Sequence, residues 1–129
     1  GGDLAPEDAE ERRPFRGDIH RDHQRVFRSG LVAARPTGPV QPRTILCYET
    51  LSETNWNAPA LSPAFAPTLF VEATATLPAK LQAFRAYASQ VRPDPHERSV
   101  GALEALARLR GATIHLPAAE AFVLVRAIC

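Results

Sequence analysis

Apolar positions along this chain switch between two spacings, and the switches mark its elements. From Arg21 onward, Val26, Phe27, Gly30, Leu31 and Ala34 recur every three or four residues, which predicts a helix ending near Pro36. His23 lies one turn before Val26 and Phe27, on the inward side of that helix's start. The run "RTILCYET" is continuously apolar, as a strand covered on both faces is, and predicts a strand over residues 44–49. "LSETNWNAPALSPAFAP" is too broken by Pro and Asn to be regular and reads as a long loop leaving that strand.

"TLFVEAT" predicts a second strand over residues 68–73. Next comes the helical run "LPAKLQAFRAYASQ", with Thr76 as its cap and Leu77, Leu81, Phe84 and Ala88 on one face. Ser99 is a good cap for "VGALEALARLRG", which should bury Leu103, Leu106 and Ala107 and stop at Gly111. "AEAFVLVRA" is the last predicted strand.

Strands alternating with helices define an α/β layered domain, here part of a mostly parallel sheet with flanking helices. Three strands are few for such a sheet, so the chain reads as a C-terminal half lacking the N-terminal strands. Opening on Gly1-Gly2 rather than Met agrees with that reading. Residues 1–16, "GGDLAPEDAEERRPFR", offer almost nothing to bury and are expected to be a poorly ordered charged lead-in, with the domain proper over 17–129.

The 129 residues are one domain's worth, and a formal charge of +1, with basic residues spread evenly, leaves no footprint for nucleic acid. No apolar run approaches the roughly 20 residues of a membrane span. Cys47, in an apolar run, and Cys129 read as free thiols of a reducing, cytoplasmic compartment.

Candidate chemistry gathers in "GDIHRDHQRVF", where two of the four histidines flank an aspartate as His20-Arg21-Asp22-His23. His23 can offer a neutral imidazole nitrogen to Zn²⁺, and His20, three positions earlier, can donate to developing negative charge. Asp22 can orient a histidine, a usual task for a carboxylate beside such sites. The bland alternative is a local hydrogen-bond cluster on a solvated helix start. A catalytic zinc takes about three protein ligands, and His96 in "PDPHER" and His115 in "TIHLP" read as surface histidines. By count, the chain does not complete a zinc site unaided.

"GDIHRDHQRVF", "ILCYETLSETNW", "KLQAFRAYASQVRP", "RSVGALEALARLRG" and "AEAFVLVR" together resemble, in that order, the PIG-L or LmbE-like zinc-dependent deacetylases. That family includes de-N-acetylases of N-acetylglucosaminyl phosphatidylinositol and of the sugar precursors of mycothiol and bacillithiol. The resemblance runs over residues 17–125 and implies a Rossmann-like α/β fold, here partial, and removal of an acetyl group from an N-acetylated amino sugar. It implies His23 as a zinc ligand, His20 as the group that stabilises the oxyanion and assists the leaving amine, and Asp22 as its orienting carboxylate. It also implies an H-P-D-D-E segment supplying two more ligands and the general base, and no such segment occurs in these residues. Glu49, Glu53, Asn55 and Trp56, in the loop after "CYE", are candidates for gripping a sugar, with Trp56 either stacking on a ring or anchoring the loop against the core. Arg92 and Arg98 could meet an anionic group or simply face solvent, and Glu120 fits a structural partner. The expected partners are the sugar substrate and either a missing N-terminal half or a second copy, since a partial sheet exposes an edge. The competing reading is a non-catalytic α/β binding or structural segment without metal.

Overall fold

The computed structural model describes residues 10–37 and 41–129. In chain order these form β1 (Glu10–Pro14), α1 (Arg21–Ala33), β2 (Thr44–Tyr48), a 3-10 turn (Thr54–Trp56), β3 (Leu69–Glu72), α2 (Leu77–Arg85), α3 (Val100–Thr113) and β4 (Ala119–Ala127). The strands make a mixed four-stranded sheet in the order β1-β2-β4-β3. β1 runs parallel to β2, with Glu10 opposite Thr44 and Pro14 opposite Tyr48. β2 and β4 are antiparallel, with the register slipping by one between Ile45 and Leu46.

The expectation of a mostly parallel sheet is therefore corrected: β1–β2 is parallel and β2–β4 is not. One helix between neighbouring strands returns the chain to the starting end and gives a parallel pair, as α1 does between β1 and β2. Two helices in succession, α2 and α3, separate β3 from β4. Going back and forth brings the chain in at the opposite end, so the direction of β4 reverses.

The lead-in expected over residues 1–16 is corrected too, because Glu10–Pro14 is a strand; residues 1–9 lie outside the described residues. "EERRP" looked unfit for burial, yet Arg13 is buried and Phe15 beside it joins the core. The Arg13 guanidinium pairs with Glu11, and its Nη1 donates to the carbonyl oxygen of Val26 on α1 at 3.1 Å. Its stem supplies the apolar contact that an aliphatic residue would otherwise give. Burial pulls the Arg13 pKa below its ordinary value, and the neighbouring Cys47 acts in the other direction.

The chain falls into two compact units. The first, residues 1–69 with 122–129, is built on Ile45, Leu46 and Cys47, and on a cluster of Phe15, Phe27 and Cys47 to which Leu31, Phe65 and Val123 add. Phe15 and Phe65 meet edge to face with centroids 5.1 Å apart, the favoured geometry for an aromatic pair. In the same unit Arg126 Nη2, from β4, donates to the carbonyl oxygen of Ala34 at 2.6 Å and so caps the end of α1. The Ile128 N–H is bonded to the carbonyl oxygen of Arg43 at 2.8 Å.

The second unit, residues 70–121, packs Leu77, Leu81, Ala107 and Ala118 together, with Val100 and Leu103 against them. Ser99 caps α3 as expected, accepting from the Ala102 N–H at 3.0 Å. Thr76 does not cap α2 with its side chain; its hydroxyl donates back to the Ala73 carbonyl at 3.3 Å. α2 also stops at Arg85, so Ala88, expected on its apolar face, is exposed in the turns that follow.

The end of α3 departs from expectation in an instructive way. The helix runs past Gly111 to Thr113, and the left-handed residue that closes it is His115, at φ 61°. The Leu116 N–H reaches the Gly111 carbonyl at 2.9 Å and the His115 N–H reaches that of Ala112 at 3.2 Å, the double bond of a Schellman close. Gly111 is needed for room rather than for φ, because a Cβ there would lie 2.5 Å from the Leu116 carbonyl oxygen and 2.7 Å from Ala118 Cα. His115→Gly is therefore expected to raise stability by about 1 kcal/mol, seen as a higher urea midpoint at constant slope. An unchanged or lowered midpoint would contradict that account of the helix end.

Candidate functional site

The residues around "GDIHRDH" are held in one conformation by their main chain. After β1, Gly17 makes the turn under the loop 57–63, where a Cβ would stand 2.5 Å from the Phe15 ring and 3.0 Å from the Pro63 carbonyl oxygen. Asp18 follows and is fully buried. Its N–H donates to the Phe15 carbonyl at 3.1 Å, and its own carbonyl accepts from Gln24 Nε2 at 2.8 Å.

A buried carboxylate costs several kcal/mol unless its oxygens are satisfied, and both of Asp18's are. Oδ1 accepts from the Thr54 hydroxyl at 2.6 Å. Oδ2 lies 2.8 Å from Nδ1 of His23. A carboxylate accepts at both oxygens, so Nδ1 carries hydrogen, and in the neutral ring Nε2 keeps its lone pair. The His23 side chain is 26% exposed. With Nδ1 turned to the buried Asp18, Nε2 is the ring nitrogen turned away from it.

His20 occupies the N-cap of α1, and its Nδ1 accepts from the Asp22 N–H at 3.1 Å. That bond uses the lone pair of Nδ1, so in this geometry the hydrogen of the neutral ring sits on Nε2, which points away from the helix. The rings of His20 and His23 stack with centroids 5.2 Å apart and planes 28° from parallel. Asp22, expected to orient His20 through its carboxylate, is 73% exposed with Oδ2 3.9 Å from His20 Nδ1. Its orienting contact is made by its main chain.

The loop after β2 comes to the same place. The Ile19 N–H meets the Glu53 carbonyl at 3.4 Å, and buried Thr54 sends its hydroxyl to Asp18. Glu49 and Glu53 are half-buried. Asn55 Oδ1 accepts from the Ser52 N–H at 2.7 Å, so that amide closes the turn. Trp56 is 61% exposed. In the other unit, Arg92 Nη1 donates to the Ser89 carbonyl at 2.8 Å and Arg98 Nη1 to Gln90 Oε1 at 2.9 Å. Glu120 pairs with Lys80, and His96 and His115 are exposed, as expected for surface histidines.

Asp18 and Thr54 are the members that sequence reasoning missed. Asp18 lies ahead of the helix, where an aspartate after glycine reads as a turn residue. Thr54 lies 36 positions further on, in a stretch with no periodicity. Near them, burial pushes the Cys47 thiol up to about 11, helped by the Asp18 charge and opposed by Arg13, so that it is an inert structural thiol.

His23 suits a zinc ion as one ligand, since its Nδ1 is held by a carboxylate in the manner usual for metal-bound histidines. Among the described residues, no group of three His, Cys, Asp or Glu side chains is arranged to hold a metal. No described helix is long and apolar enough to cross a membrane. No protein-family model matches the chain, and no curated protein is significantly similar to it.

Proposed function

We propose that this chain is the histidine-bearing half of a zinc-dependent deacetylase that hydrolyses the acetamide of an N-acetylated amino sugar. The observation that carries the reading is the 2.8 Å contact between His23 Nδ1 and buried Asp18, which holds the ring and, in its neutral form, leaves the Nε2 lone pair available on a side chain that is 26% exposed. The zinc, when bound, would polarise the acetyl carbonyl and its attacking water. Its other ligands, and the general base, would come from a further polypeptide segment of the H-P-D-D-E kind.

The residues on this chain have separate tasks in that scheme. His23 binds, and Asp18 keeps its ring from turning. His20, stacked beside it with its Nε2–H aimed away from the helix, is placed to donate to an oxyanion and then to the departing amine. Trp56, 61% exposed, is the candidate for stacking on a sugar ring, and Glu49 and Glu53, which precede it in the same loop, are candidate hydroxyl acceptors. The free thiols Cys47 and Cys129 support a reducing, cytoplasmic setting.

The test is to co-express the chain with an H-P-D-D-E-bearing segment, taken from the DNA upstream of it, and to measure zinc per complex and acetate released from an N-acetylglucosaminide. The wild-type complex should hold zinc and release acetate. His23→Ala should lose the metal, whereas His20→Ala should keep it and lose about a hundredfold in turnover, the worth of one oxyanion donor. Equal zinc in the two variants would undo the assignment of roles. A complex that is zinc-free and inactive would make the chain a non-catalytic α/β module.

A further inference from the structure

We infer that Thr54 is a positioning residue for His23: its hydroxyl, delivered by the loop after β2, locks the Asp18 carboxylate in the rotation that holds hydrogen on Nδ1 and presents Nε2 outward. The use of that nitrogen as a ligand rests on the preceding reading; the locking itself does not.

The argument is one of donors and acceptors. A threonine hydroxyl has a single hydrogen to give. Here the Thr50 N–H donates to Thr54 Oγ1 at 2.8 Å, so that oxygen is already accepting and its hydrogen is turned to Asp18 Oδ1, 2.6 Å away. The Thr54 N–H in turn donates to the Thr50 carbonyl at 2.8 Å, which holds the whole turn rigid. Donation therefore runs one way, from the Thr50 main chain to the Thr54 hydroxyl and on to Asp18. With Oδ1 engaged, Oδ2 is the oxygen left for His23.

Without that hydroxyl, a carboxylate has a broad, two-fold rotation about its last bond. Asp18 could then turn, and the ring of His23 would lose the partner that chooses its tautomer. Asp18 and Thr54 are both buried, so water is poorly placed to replace the lost donor. The consequence is that the candidate sugar-gripping loop and the candidate ligand share one carboxylate. A disturbance at residues 50–54 is felt at the ring, although no loop side chain needs to touch it.

The readout is the tautomer of His23 in the 129-residue chain, metal-free and ¹⁵N-labelled, from two-bond nitrogen–proton correlations at a pH where imidazole rings are uncharged. The wild-type ring should carry its hydrogen on Nδ1 in about tenfold excess, the weight of one buried hydrogen bond to a charged group. Thr54→Ser should preserve that pattern. Thr54→Val and Thr54→Ala, each checked for folding by circular dichroism, should bring the two tautomers to comparable populations. A wild-type ring with its hydrogen on Nε2 overturns the inference even if neither hydroxyl-free variant folds, and so does a folded hydroxyl-free variant with an unchanged spectrum. Because neither metal nor substrate enters, the result is separable from the deacetylase reading: an Nδ1–H ring in a complex that never binds zinc keeps the positioning and discards the hydrolase.

Discussion

Gly30→Ala should cost this fold about 2–3 kcal/mol, although alanine is the better helix former by about 1 kcal/mol. A Cβ at position 30 would fall 0.7 Å from Arg13 Nη1 and 1.5 Å from its Cζ, which is to say inside the guanidinium. Arg13 is buried and spends its groups on Glu11 and the Val26 carbonyl. To make room, the guanidinium must leave those partners and strand the Glu11 carboxylate, or α1 must lift from β1. Urea denaturation reads the loss as a lower midpoint. The decisive comparison is the same substitution in an Arg13→Ala background, where nothing occupies the space. There Gly30→Ala should become stabilising by up to about 1 kcal/mol, and a loss of equal size in both backgrounds would refute the packing account.

Asp18→Ala should be comparably severe, at about 3 kcal/mol, lowering the melting temperature by roughly 10 °C. The substitution strands the Thr54 hydroxyl in the interior, deprives His23 Nδ1 of its acceptor, and empties the space of a fully buried side chain. Asp18→Asn should be milder, because an amide oxygen can still accept from one of the two donors, while its NH₂ faces the other. If Asn proved as damaging as Ala, the charge of the carboxylate and not its acceptor geometry would be what the site requires.

These two residues also show what was legible in the chain beforehand. β2, α3 and β4 were readable because apolar runs and a serine cap announce them, and β4 falls on residues 119–127 as expected. β1 was hidden because its inward residue is an arginine. Periodicity arguments count charged side chains as outward, and they fail where an ion pair and a facing glycine admit a guanidinium. Strand direction was misjudged because alternation of elements does not say how many helices lie between neighbouring strands. At the site, His20 and His23 stood out by composition alone. The carboxylate that serves His23 did not, since the aspartate inside the H-x-D-H string drew attention away from Asp18, five residues before His23.

The hydrogen bond from Arg126 to Ala34 joins positions 92 residues apart in sequence. The helix bearing both histidines at its front is thus braced at its back by a residue synthesised 92 positions later. A ribosome-bound chain lacking β4 would carry His20 and His23 on a helix with a loose tail. Arg126→Ala would reproduce that condition in the folded protein, at a point far from either imidazole.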